Sequence, residues 1–206
     1  VKRLSGQVDI LPVTISERLI ESNAIVKGSE LCAIGQFRSY NKLENGKSRL
    51  MLTVFLRELV DEDPDKNPNN ILLSGYICKP PVYRTTPFNR EIADVLVAVN
   101  RAYNKSDYLP CIAWGRNARY AKTLSVGDNV RVWGRIQSRN YQKRISEEEV
   151  ITKTAYEVSV NRMELAREEY EQKEGVKIGN YKKFDVRGWL REEGQYKDGQ
   201  LNGYIT

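Results

Sequence analysis

The chain repeats itself, and the repeat limits what it can fold into. VKRLSGQVDILPVTISER (residues 1–18) lies without a gap over VNRAYNKSDYLPCIAWGR (99–116). Val1, Arg3, Asp9, Leu11, Pro12 and Arg18 fall on Val99, Arg101, Asp107, Leu109, Pro110 and Arg116. After a one-residue slip, KGSELCAIGQFRSYN (27–41) covers VGDNVRVWGRIQSRN (126–140). This sets Gly28, Gly35, Ser39 and Asn41 on Gly127, Gly134, Ser138 and Asn140. SRLMLTVFLREL (48–59) then covers TAYEVSVNRMEL (154–165). Three blocks in one order make two related units.

Each block reads as β-structure. Residues 50–56 and 155–160 are rich in alternating or β-branched apolar side chains. In 129–137, Val130, Val132 and Gly134 alternate with Arg131, Trp133 and Arg135, so one face enters a core and the other presents Arg and Trp. On that parity Trp133 faces either solvent or a partner subunit. RNARYAKTL (116–124) is the best short helix, followed by a turn at Val126-Gly127-Asp128. Strands with one short helix between the third and fourth suggest a small closed barrel.

The two units are not equally complete. Residues 71–98 supply two strands, ILLSGYICKPPVYRT and REIADVLVAV, ahead of the point that matches Val1. A barrel without its first strands exposes unpaired edges. The expectation is therefore a natural chain that is longer at its N-terminus, or a sheet completed by another chain. VDEDPDKNPNN (60–70), acidic and with two prolines, reads as a linker. From residue 167 a charged run of helical character, REEYEQKEG, leads to a Gly- and Tyr-rich end that reads as partly mobile; Phe184 and Trp189 mark where part of it could dock. The expected organisation is a divergent, N-terminally truncated unit at 1–60, a linker at 61–70, a complete barrel at 71–166 and an extension at 167–206.

Charge is unevenly spread. The chain carries 33 Lys and Arg against 27 Asp and Glu, but residues 71–144 carry thirteen against four, and 166–206 eight against eight. A basic segment in a near-neutral chain points to a polyanionic partner. No histidine is present, which removes the commonest general base and metal ligand. Neither a GxxxxGK phosphate loop nor a GxSxG elbow occurs. Cys32, Cys78 and Cys111 are scattered, lack CxxC spacing and have apolar neighbours; they read as core thiols in a reducing cytoplasm. Asp61, Glu62, Asp63 and Asp65 cluster without the turn glycine of a calcium loop, and Glu147–Glu149 read as solvated hairpin charge. The expectation is a binding protein with no cofactor, metal, membrane span or small-molecule substrate.

Sequence-tolerant binding of a single strand needs cations along the phosphates and exposed aromatic faces for the bases. The second unit interleaves both. Tyr103 lies between Arg101 and Lys105, Trp114 precedes Arg116 and Arg119, Trp133 lies between Arg131 and Arg135, and Tyr141 lies between Arg139 and Lys143. Tyr83 and Phe88 flank Arg84. A strand aromatic more often packs in a core than stacks on a base, so the joint pattern carries this reading.

GYICKPPVYRT, REIADVLVAVNRAYNKSDYLPCIAWGRNARYAKTLSVGDNVRVWGRIQSRNYQ and TAYEVSVNRMEL together resemble the bacterial single-stranded DNA-binding protein family over about 90 residues. The resemblance implies a five-stranded oligonucleotide-binding (OB) barrel with a short helix; a typical member has one, and the repeat extends this to a mainly all-β chain of tandem OB barrels, the first incomplete at its N-terminus. It implies stacking by Tyr103, Tyr108, Trp114 and Tyr141, and phosphate contacts at Arg84, Arg116, Arg131 and Arg139; the interleaving adds Arg101 and Lys105. It also implies an assembly of four barrels, which two copies of a two-unit chain would supply. Single-stranded DNA is the expected partner, in replication, recombination or repair and alongside proteins of those processes. The first unit departs from the pattern. It has Ser5, Ile10 and Ser16 where the second has Tyr103, Tyr108 and Trp114, and Lys42 where the second has Tyr141, with Tyr40 two residues away. It is therefore expected to bind DNA weakly and to serve assembly or another partner. The tail ends LNGYIT rather than in an acidic tip. An RNA-binding or primosome-like protein-interaction module remains the alternative, since OB folds do all of these.

Overall fold

The computed structural model describes residues 1–3, 5–44, 46–63, 67–144, 146, 150–166, 169–173, 176–184, 190–197 and 200–202. Trp189, Asp65 and Glu147–Glu149 lie outside them. In chain order the elements are β1 (Val13–Thr14), α1 (Glu17–Ser22), β2 (Cys32–Glu44), β3 (Lys47–Val60), β4 (Ile71–Ile77), β5 (Val82–Thr85), β6 (Glu91–Arg101) and β7 (Lys105–Trp114). Then follow α2 (Arg116–Ala121), β8 (Asn129–Arg144), β9 (Val150–Leu165), β10 (Glu169–Lys173), β11 (Val176–Phe184), β12 (Leu190–Lys197) and β13 (Gln200–Asn202).

The second unit closes on itself. Its strands run β4-β8-β9-β7-β6-β5, and a further β4–β6 pairing joins the ends, so five strands close the barrel and β5 extends it. Closure removes the free edges that an open sheet would leave. The alternation read in the sequence fills the interior: Ile77, Val97, Leu109, Val130, Val132 and Val158 are fully buried. Helix α2 covers one end through buried Ala118 and Ala121. Two hydrogen bonds seat it, from Asn117 Nδ2 to the Asn161 carbonyl (3.0 Å) and from the Leu165 N–H to the Tyr120 hydroxyl oxygen (3.1 Å). The end of the expected linker is itself tied down, because the Asn69 side-chain amide bonds both the carbonyl (2.7 Å) and the N–H (2.9 Å) of Ile136.

The first unit repeats part of this design. Its sheet has the order β1-β3-β2, with α1 after β1 as α2 follows β7. Among the described residues it has no counterpart of β4 and β5, and of β6 only the end, where Lys2 bridges Val8 as Asn100 pairs with Ser106. β1 runs parallel to β3 (Val13↔Val54) as β7 runs parallel to β9 (Cys111↔Val158). These pairs correct the third repeat block. Val54 matches Val158, not Val160, so the true register is two residues from the sequence alignment. A shift of two keeps every side chain on its face, which is why the apolar pattern could not detect it.

A bulge confirms the register. The β2–β3 ladder slips between Ile34 and Gly35, leaving Arg57 extra; the β8–β9 ladder slips between Trp133 and Gly134, leaving Asn161 extra. A side chain on Gly35 would come 2.6 Å from the Phe55 carbonyl oxygen, and one on Gly134 would collide with the Ser159 carbonyl oxygen. Both glycines are kept because two backbones meet there.

The units meet through a reciprocal set of polar contacts. Asp9 Oδ1 accepts from the Ser138 N–H (2.8 Å), and the Ile10 N–H donates to Ser138 Oγ (3.2 Å). Across the interface, Asp107 Oδ1 accepts from the Ser39 N–H (2.7 Å), and the Tyr108 N–H donates to Ser39 Oγ (2.8 Å). Arg3 forks onto Asp9 (2.5 and 2.6 Å), and Arg101 pairs with Asp107 (3.0 Å). These are the Arg, Asp and Ser positions that coincide in the repeat. Residue i of one unit meets residue j of the other and the converse holds, the signature of an approximate two-fold axis.

The extension departs from expectation. The segment read as helical at its start forms strands instead, and β10, β11, β12 and β13 pair as an antiparallel meander.

Asp9→Ala and Asp107→Ala each remove a carboxylate that satisfies a partner unit's N–H and an arginine, and each is expected to lower stability by about 1.5–3 kcal/mol in urea unfolding. Arg3 holds the Asp9 carboxyl below the ordinary carboxylate range. That contribution is complete above the unfolded pKa of about 3.9 and vanishes as pH falls through the lower folded value, so Asp9→Ala should flatten the acid limb of the stability curve. Gly134→Ala should cost about 1–3 kcal/mol, measured the same way.

Candidate nucleic-acid interface

The four aromatics singled out in the second unit all reach the surface. Tyr103 sits in the turn between β6 and β7, above the Arg101↔Lys105 pair, and is 94% exposed. Its φ is +61° and that of Asn104 is +54°, the left-handed region, which costs a non-glycine residue about 1–2 kcal/mol. A tyrosine that is strained in backbone and unpacked in side chain contributes nothing to the core. Tyr108 leaves β7 on its outer side and is fixed at its backbone by Ser39 of the first unit. Trp114 ends β7 and is 40% exposed. Gly115 follows at φ +53° and turns the chain into α2, so the indole stands at a corner rather than within a ladder. Tyr141 lies on β8 beyond the barrel. There β8 and β9 continue as a two-stranded arm from Gln137↔Glu157 to Arg144↔Val150. The Arg139 guanidinium lies 6.0 Å from the Tyr141 ring centre.

The cations divide by partner. Lys105 and Arg116 are exposed and form no ion pair among the described residues. Arg84 pairs with Asp94 (2.8 Å) at the surface, and Arg139 lies 3.4 Å from Glu157. The exposed Arg84–Asp94 pair is worth at most about 1 kcal/mol and can be exchanged for a phosphate, whereas Glu157 is buried and only the Arg139 end of its pair faces solvent. Arg101 is engaged with Asp107 at the interface between units. Arg131 lies half-buried on the outer face of β8. Trp133 shares that face with Arg162 over its ring at 4.8 Å, so the parity reading of an outward Trp holds.

One open cleft of about 670 Å³ gathers Trp114, Arg135, Arg139 and Tyr156 from the barrel with Arg3 and Ile10 from the first unit. Sequence reasoning singled out Trp114 for stacking and Arg139 for phosphate contact. It missed Tyr156, read as part of an apolar strand, and Arg135, noted only as a neighbour of Trp133. Arg135 Nε is buried without a hydrogen-bond partner. That is the state of a donor that an incoming anion would satisfy. The contribution of the first unit to this cleft depends on the interface between units, which no strand-by-strand reading could supply.

Burial pushes the Cys111 thiol well above its usual range, and burial also raises that of Cys78, which removes both as thiolates at neutral pH. No group of His, Cys, Asp and Glu that could hold a metal ion occurs among the described residues. No helix among them is long and apolar enough to cross a membrane.

Comparison with known proteins agrees with this geometry. The single-stranded DNA-binding protein 1 of Staphylococcus aureus (strain COL) is 36% identical over 83 residues, 37% of this chain and 50% of that protein. The single-stranded DNA-binding protein 3 of Streptococcus agalactiae is 30% identical over 119 residues, 54% of this chain and 83% of the other. The chain thus spans about half the length of the staphylococcal relative. A deletion variant of the single-stranded DNA binding protein from Thermus aquaticus superposes with a TM-score of 0.60 at 21% identity, over 84% of this chain and 81% of that one. An overlap of that extent reaches into the first unit, so the likeness in fold is not confined to the barrel. The model of the single-strand binding protein family matches residues 68–181, more than half of the sequence. Barrel topology, exposed aromatics and this match agree: the chain belongs to the single-strand binding protein family.

Proposed function

We propose that the chain binds single-stranded DNA with little sequence preference, by stacking bases on Tyr103, Tyr108, Trp114 and Tyr141. Arg84, Lys105, Arg116, Arg131 and Arg139 neutralise phosphates, with Arg135 beside them in the cleft; Arg101, paired with Asp107, both holds the interface and adds to the positive lining of the groove it borders. One observation carries this reading: four aromatics of the barrel are exposed, and cations lie beside them. A core would bury such side chains, whereas a strand with unpaired bases needs them in the open. Binding is the whole of the proposed activity. No catalytic step is assigned, and the setting is replication, recombination or repair in a reducing cytoplasm.

Residues 71–166 act as the principal binding domain, residues 61–70 as the linker, and residues 1–60 and 167–206 as accessory parts. Two copies would bring four barrel-type units together, which light scattering of the full chain would register as twice the mass of one chain, 23.7 kDa.

Tryptophan fluorescence with oligo-dT, oligo-U and duplex DNA tests the assignment. Quenching by oligo-dT and none by duplex is the expected outcome; a preference for oligo-U would move the reading to RNA. Trp114→Ala and Tyr103→Ala should each weaken oligo-dT binding by ~1–3 kcal/mol. Arg116→Ala should lower the slope of log affinity against log salt by about 0.7, while Trp114→Ala leaves that slope unchanged. A salt slope that responds to neither Arg116 nor Lys105 would exclude these cations as phosphate ligands.

A further inference from the structure

We infer that the first unit carries a second contact site for a single strand, built from Arg38, Tyr40 and Phe55 together with Arg101 of the second unit. The inference rests on the proposed strand binding and extends it to a face that the sequence comparison set aside. That comparison looked for aromatics at the positions of Tyr103, Tyr108, Trp114 and Tyr141, and found Ser5, Ile10, Ser16 and Lys42. The aromatics of the first unit stand elsewhere.

An open cleft of about 340 Å³ lies between β1, β2, β3 and the second unit, lined by Thr14, Arg38, Tyr40, Thr53, Phe55 and Arg101. It overlaps in part the place that the Trp114 cleft holds across the approximate two-fold axis. Arg101 matches Arg3, Arg38 matches Gln137 and Tyr40 matches Arg139, and Arg3, Gln137 and Arg139 line the other cleft. Pairing of β2 with β3 sets Arg38 against Thr53 and Tyr40 against Met51, while Phe37 and Leu52 turn to the core. The face that holds Arg38 and Tyr40 is thus the one away from the core.

Three properties fit a base and its phosphate. Tyr40 is 50% exposed, so its ring is available without rearrangement. The Arg38 guanidinium lies 4.4 Å from the Phe55 ring centre, and Gln36 Oε1 accepts from its Nε and Nη2. A guanidinium placed over an aromatic ring in this way offers a stacking surface as well as a charge. Among the described residues no acidic side chain lines the cleft; Arg101 is paired with Asp107 behind it, so Arg38 is the cation that faces an incoming phosphate. Ser39 also lines the cleft, and its Oγ anchors the backbone of Tyr108, so a stacking residue of the second unit is joined to the border of the first unit's site. A strand that leaves Tyr108 therefore meets cations and a tyrosine rather than bare sheet.

The test uses the full chain and oligo-dT of two lengths, about 8 and about 30 nucleotides, chosen around the span of one barrel. Tyr40→Ala is expected to weaken binding of the long strand by about five- to a hundredfold and to leave the short one within about twofold. Arg38→Gln places the residue of the second unit at its own equivalent position, so it should fold, and it should weaken the long strand alone. Ultraviolet cross-linking with the long strand should label the peptide that holds Tyr40. Wild-type affinity of both variants for the long strand, with no label in that peptide, would overturn the second site while Trp114→Ala still shows the first. No binding of either length by the wild-type chain would overturn the strand-binding reading and this one together.

Discussion

The rest of the structure depends on two carboxylates that each unit places in the other. Asp9 and Asp107 accept backbone N–H groups from Ser138 and Ser39 while arginines of their own units pair with them. Both aspartates are almost fully buried, so each would be costly to leave without its partners. Satisfied on all sides, they fix the orientation of the two units rather than merely bringing them together. Both clefts follow from that orientation: each takes its aromatic lining from one unit and an arginine from the other.

Much of the fold was legible because it rests on short-range pattern. The period-two alternation over Val130 and Val132 specified β8 and its face, and the run after Gly115 specified α2. The repeat itself pointed at the interface without naming it. Arg3, Asp9 and Ser39 recur as Arg101, Asp107 and Ser138 because the two-fold arrangement needs each of them twice. The third block was misplaced by two residues, since a two-residue slip conserves the inside–outside pattern and only the hydrogen-bond ladder and the extra residues Arg57 and Asn161 reveal it. The extension was misread at its start, where charged residues suit a helix or a solvated strand equally well and the partner strand β11 decides.

The candidate site was legible in part for the same reason. Trp114 and Tyr141 were found through their arginine and lysine neighbours in sequence. Arg135 was in view but given no role, because its unpartnered nitrogen is a property of three dimensions. Tyr40 and Phe55 lie on neighbouring strands and belong together only through the β2–β3 register. The comparison between units asked whether the same positions were aromatic, when the physical requirement is an aromatic face and a cation within one groove.

Joining both units in one chain has a consequence for how they can change. In a dimer of identical subunits every substitution appears on both sides of the axis at once, so a change that suits one side must be tolerated by the other. Here the linker that ends at Asn69 makes the two sides separate stretches of sequence. One side can exchange Trp114 for Ser16 or Arg139 for Tyr40 while the Arg–Asp–Ser contacts stay in place. The covalent link also keeps the units at a high effective concentration, so their pairing is indifferent to dilution. The same architecture can therefore hold two unlike grooves in a fixed relation.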